Sequence, residues 1–284
     1  MLLYGVLLSS LVLSGEATDK QDWGTPELVG AGSVSTTGTE FNTTFSPDGD
    51  VLILTRYDNA TGVGSIEALT QTDGVWSKVD YFDGRLDGVD AGDGHVAPDG
   101  SKFVFYRDAD IWELSRDEVR QWSEPSRVGE SISTSSPEAY PTLSAQGELC
   151  FTRQDRGNWD VYLAKSEGES WGQPERLGAP VNTPYREHDA LITPDGNRLI
   201  FVRMGETGGP GMSDLYTCVR TASGWSEPKL LPFNSPEIDG SPCLSPDGKW
   251  LYFTSGRPTG TDKASGLCIW RVRTPRNASE TGWR

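Results

Sequence analysis

The chain lacks most of the features by which an enzyme or a membrane protein declares itself in sequence. Histidine, a common general base and metal ligand, occurs only at His95 and His188 among 284 residues. There is no G-x-S-x-G elbow, H-E-x-x-H pair or phosphate-binding glycine loop, which excludes the α/β-hydrolase nucleophile, the zincin site and the P-loop. The four cysteines, Cys150, Cys218, Cys243 and Cys268, show no C-x-x-C spacing, so no zinc ribbon is expected. Each lies in or beside an apolar strand, where a free thiol acts as a small hydrophobe. One disulfide stays open in an oxidising compartment, with no pairing assigned. No catalytic residue, metal ligand or cofactor is assigned from these absences.

Positive charge is also scarce. With 25 Lys and Arg against 41 Asp and Glu, the net charge is −16; such a surface repels nucleic acid and anionic lipid, which need basic faces. Long hydrophobic runs are missing after the first residues. Met1 to Ala17 reads MLLYGVLLSSLVLSGEA, apolar from Leu2 to Leu13 and then small-residue-rich. It is too short to span a bilayer comfortably and fits a signal peptide, although no Lys or Arg follows Met1. Residues 1–17 are therefore expected to be a signal peptide and 18–284 a single domain. The mature protein is expected to be periplasmic or secreted, monomeric, and not inserted in the membrane once the signal is removed.

What the chain has in quantity is turn formers and aromatics: 33 Gly, 18 Pro and 10 Trp, a composition suited to many short strands. A turn tetrapeptide recurs at Ser46-Pro47-Asp48-Gly49, Ala97-Pro98-Asp99-Gly100, Ser144-Ala145-Gln146-Gly147, Thr193-Pro194-Asp195-Gly196 and Ser245-Pro246-Asp247-Gly248. Pro at the second position fixes φ for a type I turn and Gly at the end accepts a positive φ. The turn glycines are 51, 47, 49 and 52 residues apart. After each turn an apolar, aromatic-containing strand runs into an arginine: Arg56, Arg107, Arg153, Arg203 and Arg257. A second strand follows, as in Asp110-Ile111-Trp112, Asp160-Val161-Tyr162 and Asp214-Leu215-Tyr216, and then a short segment such as Trp122-Ser123-Glu124-Pro125. With the strand before the turn, each unit holds four strands in about 50 residues, the layout of a propeller blade. The expected fold is all-β: a five-bladed β-propeller with four antiparallel strands per blade. Trp23 to Val29 matches the segment that ends other units, while Gly282-Trp283-Arg284 only begins one. The N-terminal strand is thus expected to complete the last blade and close the ring.

These units resemble the TolB-like propeller repeats, a WD-repeat-like family whose core is S-P-D-G, an aromatic strand, Arg, Asp-hydrophobic-Tyr and W-S-x-P. The likeness extends from about Trp23 to Trp283. It implies an exported interaction module, and in this family some propellers sit beside hydrolase domains.

A radial fold gathers the same repeat position from every blade around one axis. Nine residues before each turn glycine stand Glu40, Ala91, Glu138, Glu187 and Asp239, four of them acidic. They offer a carboxylate ring for a cation or a cationic partner. The competing reading is architectural: each acid accepts backbone N–H bonds or pairs with a repeat arginine such as Arg153 or Arg203. His95, His188 and the neighbouring acids Asp93 and Asp189 lie in the same crossings, with Glu187-His188-Asp189 the densest titratable cluster. The candidate ligand-binding set at the channel mouth is therefore Glu40, Asp93, His95, Glu138, Glu187, His188, Asp189 and Asp239. Asp87, Asp90 and Asp93 have the composition of a Ca²⁺ loop but every-third spacing instead of alternate spacing. Asn42, Asn59 and Asn277 are in N-x-S/T sequons. Two functions are expected to compete. The first is a non-catalytic module binding a protein or envelope ligand on one face. The alternative is a hydrolase or lyase on carbohydrate-like substrates, which requires two carboxylates with divergent environments.

Overall fold

A computed structural model describes residues 22–117, 119–168 and 170–275. The expected signal peptide, the terminal Gly282-Trp283-Arg284 and the Asn277 sequon lie outside these residues. The described chain is all strand and turn, arranged as five antiparallel sheets. The inner strands are Thr39–Phe45, Gly92–Val96, Glu138–Leu143, Arg186–Ile192 and Asp239–Leu244, and they open blades 1 to 5. Each inner strand contacts the inner strands of both neighbouring blades, so the ring closes on itself.

Closure follows the expected route. Glu27–Leu28 pairs antiparallel with Trp270–Arg271 and forms the outer strand of blade 5. Gly24 N–H donates to the Arg273 carbonyl at 3.2 Å and Val29 N–H to that of Ile269 at 3.0 Å. In blades 3 and 4 the outer edge is split into two short strands against one partner, Ser170–Trp171 with Glu175–Arg176 and Gly224–Trp225 with Lys229–Leu230.

The turns close as the tetrapeptides demand. Gly49 N–H meets the Ser46 carbonyl at 2.9 Å and Gly196 N–H that of Thr193 at 2.8 Å, with φ of 80° and 72° at the two glycines. The strand after each turn is buried at consecutive positions, not alternate ones: Leu52-Ile53-Leu54, Phe103-Val104-Phe105, Leu149-Cys150-Phe151, Leu199-Ile200-Phe201 and Leu251-Tyr252-Phe253. Neighbouring blades cover both faces of this strand, so an unbroken apolar run is what it needs. Five apolar clusters result, one at each blade–blade junction. Burying each such side chain stabilises the fold by roughly 1.5–3 kcal/mol. The four cysteines sit in these layers as free thiols, and burial pushes the Cys243 thiol up to about 12.

Candidate active site

Four members of the acidic ring are fastened to their own blades. Glu138 takes the Thr134 N–H at 3.0 Å, the Thr134 hydroxyl at 2.6 Å and Arg153 Nε at 2.7 Å. Glu187 repeats this with Thr183 N–H at 3.0 Å, its hydroxyl at 2.5 Å and Arg203 Nε at 2.8 Å. Glu40 is held by Thr36 and Arg56, and Asp239 by Ser235 and by Arg257 at 2.8 Å. All four carboxylates are wholly buried. Three of these arginines lie over aromatics of the same blade, Arg153 at 4.8 Å from the Tyr162 ring, Arg203 at 5.0 Å from Tyr216 and Arg257 at 4.9 Å from Phe253. Each acid thus clasps the crossing loop four residues before it to the strand that follows the turn, the architectural arrangement. Burial pushes the Glu187 carboxyl up against the downward pull of Thr183 and Arg203.

Two residues further along, every inner strand breaks register at a bulge. The residue there has a positive φ in all five blades: Asn42 (50°), Asp93 (50°), Tyr140 (54°), Asp189 (57°) and Ser241 (47°). None is glycine, and all five carry a polar group. Left-handed backbone at non-glycine residues costs of order 1 kcal/mol or more apiece and is concentrated at functional sites. The bulge bends the strand and re-aims the side chain.

Blades 2, 3 and 4 bring Asp93, Tyr140 and Asp189 into mutual electrostatic range. Burial holds the Asp93 carboxyl well above the usual range, and the charge of Asp189 adds to the effect. Burial also lifts Asp189, to about 6, while Ser241 of blade 5 opposes the rise. Ser241 donates its N–H at 2.6 Å and its hydroxyl at 2.9 Å to Asp189 Oδ2. The close approach is possible beside Gly240, where a Cβ would stand 3.3 Å from that oxygen. Asp93 is less well supplied: its own N–H donates to Thr55 Oγ1 at 3.0 Å, but Oδ1 is buried without a partner. Burial, reinforced by Asp93 and Asp189, also pushes up the Tyr140 hydroxyl, which therefore stays protonated.

The histidines take different places. Nδ1 of His95 accepts the Leu143 N–H of blade 3 at 3.2 Å. At the same repeat position Thr142 accepts Ile192 N–H at 3.2 Å and Thr44 accepts Val96 N–H at 3.1 Å. His95 is thus a blade-to-blade acceptor, and burial lowers it to about 4, which keeps it neutral. His188 packs on Tyr140 at 5.5 Å between centroids, with Nδ1 buried and unpartnered. Burial, assisted by Arg186, lowers it to about 4 as well.

Blade 2 is the exception that opens the ring. With Ala91 in place of an acid, Arg107 turns to Asp108 at 3.3 Å and to the Trp112 ring at 4.6 Å. The crossing loop is tied instead by Asp90, whose Oδ1 accepts Gly64 N–H at 2.9 Å. A cavity of about 350 Å³ remains between blades 1 and 2, with Asp93 in its wall. Asp87 does not line it, and no group of three or more His, Cys, Asp or Glu positioned for a metal ion occurs among the described residues.

From the sequence-derived set, the structure brings Asp93 and Asp189 into electrostatic range and packs His188 on Tyr140; Glu40, Glu138, Glu187 and Asp239 are engaged in clasps. Tyr140, Asn42, Ser241 and Thr55 were missed. Repeat alignment two residues past the acidic position finds the first three, but their types have nothing in common except polarity.

No protein-family model matches the chain, and no curated protein matches it. Solved structures do share the fold. An α-L-arabinofuranosidase from Podospora anserina, in complex with cellotriose, matches with a TM-score of 0.54 at 10% identity, over 89% of this chain and 97% of its own. A thermostable family-43 glycoside hydrolase matches with a TM-score of 0.52 at 10% identity, over 87% and 92%. A gluconolactonase from Xanthomonas campestris matches with a TM-score of 0.50 at 12% identity, over 89% and 96%. At such identities the likeness establishes the fold. It also corrects the expectation of a non-catalytic binding module, since the structures matched are those of enzymes. The matches cover nearly the full length of those structures.

Proposed function

We propose that the chain is a hydrolase acting on carbohydrate, with Asp93 as proton donor and Asp189 as the ionised carboxylate. The observation that carries this reading is the unequal pair. Both acids are buried at equivalent strained positions, yet Ser241 supplies two donors to Asp189, while Asp93 Oδ1 has none. Donors favour the charged form and burial without donors favours the neutral one. At neutral pH Asp189, at about 6, is ionised, and Asp93, held well above the usual range, keeps its proton. Two carboxyl groups driven apart in this way are what glycoside hydrolysis uses: one protonates the departing oxygen, the other serves water or the anomeric carbon. Tyr140, a neutral hydroxyl in range of both, is placed to donate to a substrate oxygen. The pair titrates as a unit. The fold shared with glycoside-processing enzymes supports the substrate class.

The test is release of reducing ends from aryl arabinofuranosides, aryl xylosides, arabinoxylan, cello-oligosaccharides and glucosamine oligosaccharides by the purified chain. Turnover is expected on at least one, and Asp93→Asn and Asp189→Asn each lower it at least about a hundredfold. Silence on the whole panel, or full activity in either variant, overturns the reading.

A further inference from the structure

The cavity between blades 1 and 2 has a consistent chemistry. Its wall includes Asp90, Asp93 and Asp108 and the aromatic rings of Phe41, Tyr57 and Tyr106, with no Lys, Arg or His. Asp90 and Asp108 are exposed and mark the mouth, while Asp93 is buried and marks the inner end. Burial, with Asp93, Asp90 and Asp108 acting on it, raises the Tyr106 hydroxyl, and all three acids line the same cavity as its ring. Asp93 Oδ1 is buried without a partner at the inner end of this space. At the mouth, Asp90 uses Oδ1 on Gly64 N–H and Asp108 uses Oδ2 on Arg107, leaving the second oxygen of each to a ligand.

Carboxylates beside aromatic rings favour an ammonium group, because Coulombic attraction and the ring quadrupoles act in the same direction. Arg107 engages one oxygen of Asp108 from outside the cavity wall and leaves Asp90 unpaired with any cation among the described residues. A neutral hydroxyl gains little from either.

We propose that this cavity selects saccharides bearing a free amino group, the ammonium seated at the mouth between Asp90, Asp108 and the rings of Tyr57 and Tyr106. This deepens the hydrolase reading and rests on it for the chemistry at Asp93, but the binding step stands separately. The mouth holds the charged substituent while the sugar ring extends inward toward Asp93. The departure of blade 2 from the repeat thereby gains a purpose: the acid that clasps the other crossings is given up, and the space serves the ligand.

The test is isothermal titration of the full chain with the β-1,4-linked trisaccharide of glucosamine, beside cellotriose and the tri-N-acetylated form, at mildly acidic pH. The glucosamine trisaccharide is expected to bind about tenfold more tightly than either, with the preference lost in Asp90→Asn/Asp108→Asn and weakened by salt. Asparagine keeps the acceptor for Gly64, so thermal unfolding of that variant should match the parent. Equal affinity for the three sugars, or a preference that survives the double substitution, overturns the proposal. Selective binding without cleavage leaves it intact and removes the hydrolase reading; cleavage of neutral sugars without amine preference does the reverse.

Discussion

Asp93 and Asp189 stand seven residues before the turn glycines of blades 2 and 4, both in left-handed backbone, and the charge of Asp189 strengthens the hold of Asp93 on its proton. Blade 3 lies between them in sequence and contributes Tyr140 at the same position. Three blades thus converge on one small polar centre.

Proton uptake on folding follows from this pair. Each carboxyl binds its proton more tightly folded than unfolded, so stability falls as pH rises from the ordinary carboxylate range: through about 6 for Asp189, and beyond the usual range for Asp93. Asp93→Asn keeps the neutral shape and discards the penalty. It should unfold at nearly the parental temperature near about pH 4 and a few degrees higher near about pH 8. A difference that does not grow with pH in thermal scans counts against the buried-acid account.

Ser241 is a positioning residue for Asp189. Ser241→Ala removes the 2.9 Å hydroxyl donor and leaves the backbone donor in place. The acid limb of the activity profile, set near 6 by Asp189, should move up by about one unit, with the plateau rate little changed. A Ser241→Thr variant should restore the limb; no movement in Ser241→Ala means the hydroxyl does not govern the carboxylate.

The clasps should act on stability alone. Glu138→Ala strands Arg153 and the two Thr134 donors, at a cost of about 3 kcal/mol. For a chain of this size that is a fall of roughly 6–12 °C in Tm, unaltered by added Ca²⁺. Unchanged or raised Tm, or recovery with Ca²⁺, would mean that the acid is held for a ligand.

His95 should be replaceable by threonine but not by alanine. Thr at this position already accepts the neighbouring blade's N–H in blades 1 and 3. Alanine leaves the Leu143 N–H without its acceptor, costing about 1–3 kcal/mol relative to threonine. A buried histidine lowered from 6.5 to about 4 contributes stability that is full above about 6.5 and fades as pH falls toward 4. His95→Thr should flatten that acid limb in chemical denaturation; equal stability of the two variants speaks against the acceptor role.

The architecture was legible in the sequence because each blade must turn at the same place. Pro47-Asp48-Gly49 and its counterparts fix a backbone geometry through residue types that little else satisfies. Trp23 to Val29 betrayed the closing strand by repeating a segment that ends other units. The pairing of Glu138 with Arg153 was readable too, since both recur in register. The bulge was not: Asn42, Asp93, Tyr140, Asp189 and Ser241 share a backbone conformation, and φ is not written in side-chain type. Nor did the sequence distinguish His95 from His188, because only the fold shows that one takes over a threonine's task.

The closing strand also orders events in time. Glu27–Leu28 meets Trp270–Arg271, a contact between residues far apart in sequence, whereas every other strand pairs within its own blade. Neighbouring blades can nucleate and stack from local contacts, but this last seam must wait for the longest loop to close. Assembly should therefore run blade by blade and finish with a single locking step. In native-state hydrogen exchange the same seam should be the first to open, which makes the junction of blades 5 and 1 the hinge through which the whole ring yields.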